Sequence, residues 1–192
     1  MLAKHGITTD TPKTLLFDAA AIYKNLKFDT DANDWVGEVL GATSGGSKFA
    51  YVSEFMDAEV DGAKVKVKGL KVKVGETGSL EVNATEFKEG VFKVALHLVE
   101  DATKTNDKHK CFVTKSLIDE DDYIENIALV GHLTSGEAII FIMHNAFCVS
   151  GLEFEPKDKT QTTYTLTFEP HADIDSDLDR LPIEIYLPIE KA

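Results

Sequence analysis

Arginine is almost missing from this chain. Arg180 stands alone among 20 basic residues, set against 33 acidic ones, and the formal charge is −13. A guanidinium is the usual grip on phosphates and base edges, so a tight nucleic-acid binder would have the opposite balance. An acidic surface repels DNA, which suits a wall that DNA slides past, and it also simply keeps a monomer soluble. Cysteine is nearly as scarce: Cys111 and Cys148 are expected to be small buried or half-buried thiols, with no disulfide framework. No apolar run approaches the ~18 residues a membrane-spanning helix needs, and the longest, residues 138–143, is strand-sized. The opening Met-Leu-Ala-Lys-His-Gly lacks the apolar core of a signal peptide, so synthesis and folding in the cytoplasm are expected.

Chemical motifs are also wanting. The glycine- and serine-rich stretch 40–47 lacks the Gly-Lys-Ser/Thr ending of a phosphate-binding loop. Neither a Gly-x-Ser-x-Gly elbow nor a His-Glu-x-x-His helix occurs. His109 with Cys111, and His144 with Cys148, have the wrong spacing for structural zinc, and strand residues four apart sit about 13 Å from each other. Asp173, Asp175 and Asp177 resemble the start of a calcium loop, with Glu184 at the twelfth position. However, Leu178 stands where the turn needs glycine, and Pro182 interrupts the loop. Asn83-Ala84-Thr85 is a glycosylation sequon only in form. No catalytic residue, metal site or cofactor is expected, and nothing argues for an enzyme.

What is present is β pattern. With 192 residues, 43% of them hydrophobic and 28% charged, the chain is sized for one domain with a real core. Residues 1–13 carry turn-forming chemistry without a period and read as a flexible N-terminal arm. The rest, 14–192, reads as a single domain with a terminal arm at about 174–192. Strands are expected at 14–17, 20–26 and 49–55, with polar loops at 29–35 and 40–47. Lysine and valine then alternate: Lys64, Lys66 and Lys68 with Val65 and Val67, then Leu70, Val72 and Val74 with Lys71 and Lys73. The phase slips at Gly69, a candidate β-bulge. With a turn at 75–78, residues 64–86 read as one long hairpin, valines toward a core and lysines away from it.

Spacing of Phe87, Val91, Ala95 and Leu98 predicts a helix over about 86–98, with Asn83 and Glu86 as a capping box. A strand edge is expected at 111–113, a solvated acidic turn at 119–122, and strands at 124–133, 138–147, around Leu152 and Phe154, at 162–168 and at 183–187. The proline-flanked last strand suits an edge. The predicted class is mainly β: two packed antiparallel sheets, a β-sandwich or partial barrel, with one flanking α-helix.

An ordered series of short stretches resembles the major tail tube proteins of long-tailed, non-contractile bacteriophages. It begins with Gly41-Ala42-Thr43-Ser44-Gly45-Gly46-Ser47-Lys48-Phe49, then Glu59-Val60-Asp61-Gly62-Ala63 and Val67-Lys68-Gly69-Leu70-Lys71. Leu80-Glu81-Val82-Asn83 leading to Glu86, Ala128-Leu129-Val130-Gly131, Asn145-Ala146 with Gly151-Leu152, and Leu181-Pro182-Ile183-Glu184-Ile185-Tyr186 complete it. The series spans about 41–188; residues 1–40 match less well. The resemblance implies a virion tail subunit, a late protein assembled in the host cytoplasm without any membrane step. It implies homo-hexameric rings whose small sheets close into a barrel and stack into a tube. Implied partners are further copies, a tape measure protein, and tail tip and terminator proteins; DNA passes without specific binding.

On that reading the candidate stacking loop carries Asp57, Glu59, Asp61, Gly62 and Lys64. The candidate charged strand face, lumenal or between subunits, carries Lys66, Lys68, Lys71 and Lys73. Lumen-lining strands are expected within 49–55, 64–86 and 124–147. Three alternatives stay open: the inner tube of a contractile tail, tailocin or secretion system; a baseplate or decoration module; and a small-molecule-binding barrel or enzyme.

Overall fold

A computed structural model describes residues 5–17 and 19–189, the side chain of Val94 excepted. The first four residues of the expected N-terminal arm and the last three of the terminal arm lie outside that range. In chain order come β1 (Ala21–Asp29), β2 (Asp34–Val39), β3 (Thr43–Asp57), β4 (Lys71–Ala84), α1 (Glu89–Leu96), β5 (Leu98–Glu100), β6 (Phe112–Thr114), β7 (Ile124–His132), β8 (Ala138–Cys148), β9 (Tyr164–Glu169) and β10 (Ile183–Tyr186). The fold is mainly β, with two antiparallel sheets and one short α-helix.

Seven strands run in the order β2-β1-β7-β8-β9-β4-β3, with β10 also on β8; β5 and β6 form a separate small ribbon. β8 joins the two sheets. Along one edge it pairs with β7 from Ala138 to Ala146. Along the other it pairs first with β10, at residues 140–143, and then with β9, at Phe147 and Cys148. The change of partner falls at His144, which exchanges backbone hydrogen bonds with Pro182 and His171, and at Asn145, where φ is 45°. Asparagine tolerates that left-handed conformation better than most residues, and the kink turns the strand from one sheet into the other.

Alternation along β7 and β8 supplies two apolar faces. Ile127, Leu129 and Met143 pack with Leu80, Val82, Leu166 and Phe168 of the second sheet, together with Val91 and Ala95 of α1. Ala128, Ile140 and Ile142 face the other way, against Leu26 and Trp35. A strand buried on both faces needs an unbroken apolar run, which is what 138–143 provides. Val91 and Ala95, four apart, form the buried stripe of α1.

Several local expectations are corrected. The loop expected at 29–35 is a turn followed by β2, whose Asp34 and Trp35 pair with Asp29 and Phe28. The glycine-rich stretch 40–47 enters β3: Gly45 and Gly46, both at φ +85°, absorb a register shift between Thr43 and Ser47. The helix is shorter than predicted and starts after Lys88, with no side-chain cap. Asn83 instead donates to the Gly46 carbonyl and accepts from Thr165, while Glu86 accepts from the Ala42 amide. Both lie in or beside the sheet, so their capping-box spacing is coincidental. Leu152 and Phe154 lie in no strand; Phe154 packs edge-on against Phe87. The acidic stretch 119–122 forms a 3-10 turn that buries Asp122. As expected, Cys111 and Cys148 are free thiols, half-buried and buried respectively.

One buried polar pair holds β1 in place. After Lys24 the register of β1 shifts, with Asn25 at φ 53°. Leu26 then loses a backbone partner on β7, and the Asn126 side chain substitutes for it. Its Oδ1 accepts the Leu26 N–H at 2.8 Å and its Nδ2 donates to the Leu26 carbonyl at 3.1 Å. Asn126→Ala leaves both buried groups unsatisfied and is expected to cost about 2–4 kcal/mol in urea unfolding, with β1–β2 amides losing exchange protection first. A change below about 0.5 kcal/mol would show that water replaces the side chain fully.

Candidate assembly surface

The long β3–β4 hairpin has further strand neighbours at one end only. Near its base, β4 lies between β3 and β9, with Leu80 opposite Phe49 and Phe168 and Val82 opposite Ser47 and Leu166. Beyond Leu80, β9 ends, and β4 keeps only β3 as a strand neighbour down to Asp57 and Lys71. β3 is an edge strand along its whole length. The outer half is therefore a two-stranded ribbon with both edges unpaired by strands among the described residues. Such ribbons are marginal in water by themselves.

Register decides which face each residue takes. Counting from Leu80 and Phe49 in the core, the same face carries Gly78, Glu76, Tyr51 and Ser53. A bulge follows: Glu54 pairs with Gly75 but Phe55 pairs with Lys73, so Val74 has no opposite number. Past it, Lys71, Lys73, Phe55 and Asp57 continue the core-side face, while Val52, Met56 and Val72 point away from the core. The expected assignment of valines inward and lysines outward is reversed. The period of two is right, but a single bulge residue swaps every face beyond it.

On the core-side face a polar cluster replaces the hydrophobic core. Glu76 accepts hydrogen bonds from the Tyr51 hydroxyl and from the Leu181 amide at 2.8 Å, and pairs with Lys73 at 3.1 Å. The Tyr51 hydroxyl bond first, then the Leu181 and Lys73 contacts, hold its carboxyl at about 2. Farther out, Asp57 pairs with Lys66 at 2.7 Å and Lys71 at 3.8 Å, with its pKa lowered chiefly by Lys66; Lys71 lies over the Phe55 ring. The opposite face exposes Val52 (54%), Met56 (56%) and Val72 (48%), with bulged Val74 at 56%, beside exposed Glu54 and Thr77.

The candidate residues fall as follows. Asp57 ends β3, and Glu59, Asp61, Gly62 and Lys64 lie in the 58–70 tip, where Gly62 takes φ +87° in a turn closed by Ala63 N–H to the Val60 carbonyl. Lys66 and Lys68 belong to that tip and not to a strand; only Lys71 and Lys73 are in β4. Gly69 is not the bulge. At φ +96° it serves the turn closed by Leu70 N–H to the Val67 carbonyl, just before β4. The expected turn at 75–78 is likewise strand. A Cβ on Gly78 would lie 2.8 Å from Ile183 Cδ1 and 3.0 Å from Leu181 Cδ2, so this glycine marks where the C-terminal segment crosses the hairpin. Sequence reading missed Glu76, Val52 and Met56, because their importance depends on where β9 stops.

Other titratable clusters serve packing. Buried Asp122 accepts from the Asp119 amide and Lys115, both at 2.9 Å, and faces His97 Nδ1 at 3.8 Å. Burial pushes its pKa up, but those donors outweigh it and the net direction is down. No group of three or more metal-ligating side chains converges among the described residues. No described helix is long and apolar enough to cross a membrane.

No protein-family model matches the sequence, and no curated protein matches it. Among solved structures, the chain is similar to one from a cryo-EM structure of the anti-feeding prophage (AFP) baseplate, 6-fold symmetrised. The alignment has 8% identity and a TM-score of 0.48, covering 90% of this chain and 95% of that one. These values describe a loose likeness of chain path.

The Glu76 cluster makes a pH prediction. Its folded pKa of about 2 lies below the ordinary 4.5, so its contribution is complete above 4.5 and is lost as pH falls toward 2. Thermal unfolding from pH 6 to about 2 is expected to show Glu76→Gln less stable than the parent at neutral pH, with the gap closing through that window. A gap that does not depend on pH would mean that the carboxylate charge has no part in fastening the hairpin.

Proposed function

We propose that the chain is a non-enzymatic structural subunit of a phage-type tail tube, working as homo-hexameric rings stacked around a tape measure protein and later passing DNA. The observation that carries this reading is the outer β3–β4 ribbon, with unpaired edges and exposed apolar residues on the face turned from the core. Ribbons from neighbouring copies, set side by side, would pair those edges and bring Val52, Met56 and Val72 beside the same-face side chains of the next ribbon. Closure into a barrel leaves no free edge, which is the physical reason for a ring rather than an open dimer. The ordered sequence resemblance over 41–188 supports the same reading. The net charge supports a conduit: each ring carries six times −13, with one arginine per copy, and so repels duplex DNA.

Val52→Asp with Val72→Asp places charge on the exposed ribbon face without touching the core. Its unfolding is expected to stay within about 0.5 kcal/mol of the parent, while negative-stain images and light scattering lose the rings that the parent forms. A parent chain that stays monomeric at high concentration, with or without a tail tip to nucleate it, would refute the tube. In filter binding at moderate salt, assembled tubes are expected to retain no duplex DNA; firm retention would refute the smooth conduit.

A further inference from the structure

His97 is fixed on three sides and left incomplete on the fourth. It ends α1 at φ 49°, where its amide donates to the Lys93 carbonyl. Its ring lies flat on Phe147, with centroids 4.1 Å apart and planes 9° apart. Its Nε2 is 2.9 Å from the Cys148 carbonyl oxygen at the end of β8. A carbonyl only accepts, so Nε2 carries a proton. Nδ1 is buried, has no hydrogen-bond partner, and faces Asp122 Oδ1 at 3.8 Å. In the neutral ring Nδ1 is therefore a lone pair turned toward a carboxylate. Only the charged ring offers that carboxylate a donor.

The surroundings lack one positive charge. The Asp122 side chain is 4% exposed and shares Lys115 with Asp119: Lys115 Nζ is 2.9 Å from Asp122 Oδ1 and 3.0 Å from Asp119 Oδ1. One ammonium thus serves two carboxylates, and a proton on His97 balances the group. Exposed Glu120 and Asp121, in the same turn, add further negative charge. His171, the other imidazole here, meets Phe147 and Tyr123 edge-on, with its Nδ1 at the Glu169 carbonyl. The last carbonyls of a helix and the face of an aromatic ring both favour a cation, and His97 sits on both.

We propose that His97 is a proton-controlled clasp. Charged, it bridges Cys148 and Asp122 and fastens α1 and the 119–122 turn to the end of β8. Neutral, it holds Cys148 alone and repels the turn. Burial raises the Asp122 pKa, but the Asp119 amide and Lys115 lower it further, so the carboxylate stays ionised while the imidazole titrates. Because the charged ring gains a partner on folding, this stabilisation is complete in mild acid and is lost as pH rises. The clasp acts within one subunit, so it stands whether or not rings form.

Nitrogen-15 spectra of the intact chain read the ring directly. Between pH 5.5 and 8.5 the His97 ring is expected to lose its Nδ1 proton and keep the one on Nε2. Over the same range, after correction for the intrinsic exchange rate, amides of α1 and of 119–122 are expected to lose at least about threefold in hydrogen-exchange protection. In His97→Gln and in Asp122→Asn that pH dependence disappears. A ring that stays neutral or stays charged throughout, or a neutral ring protonated on Nδ1, overturns the clasp. So does the same loss of protection in parent and variants, since another group is then responsible. The ring spectra need no variant and decide the matter even where a substitution prevents folding.

Discussion

The kink in β8 is the constraint on which the rest of this molecule depends. One strand cannot keep the same neighbours along both edges and also belong to two packed sheets. β8 resolves this by holding β7 throughout and exchanging β10 for β9 at His144 and Asn145. The exchange sets the angle between the sheets, and thus where Phe168, Leu80 and Val82 meet Met143 and Ile127. Asn126 does similar work at β1, supplying by side chain the backbone bonds that a shifted register removes.

From that corner the asymmetry of the β3–β4 hairpin follows. β9 covers β4 only from Leu80 to Ala84, so the sandwich ends while the hairpin continues. Past this limit the core-side face changes from leucine and valine to Tyr51, Glu76, Lys73 and exposed Phe55, while Val52, Met56 and Val72 lie on the opposite side. A monomer gains nothing from exposed valine and methionine on an unpaired ribbon. The proposed assembly would pair the edges and set the apolar side chains of neighbouring ribbons beside one another. The physical case for the proposed ring subunit lies in this mismatch between hairpin and sandwich.

Much of the fold was legible in the chain itself. Period-two patterns located β7, β8 and β9 and the outer stretch of β3. The apolar run 138–143 marked a strand buried on both faces. Local signals failed where one glycine has several uses. Gly69 serves a turn, Gly78 a close crossing, and Gly45 with Gly46 an irregular strand entry, and nothing in their flanks tells these apart. Residue type and alternation thus determined the class of fold. Which face of the Lys71–Val74 stretch looks inward was decided by the tertiary structure alone, because facing is counted from the distant partner Phe49 and inverted by one bulge residue.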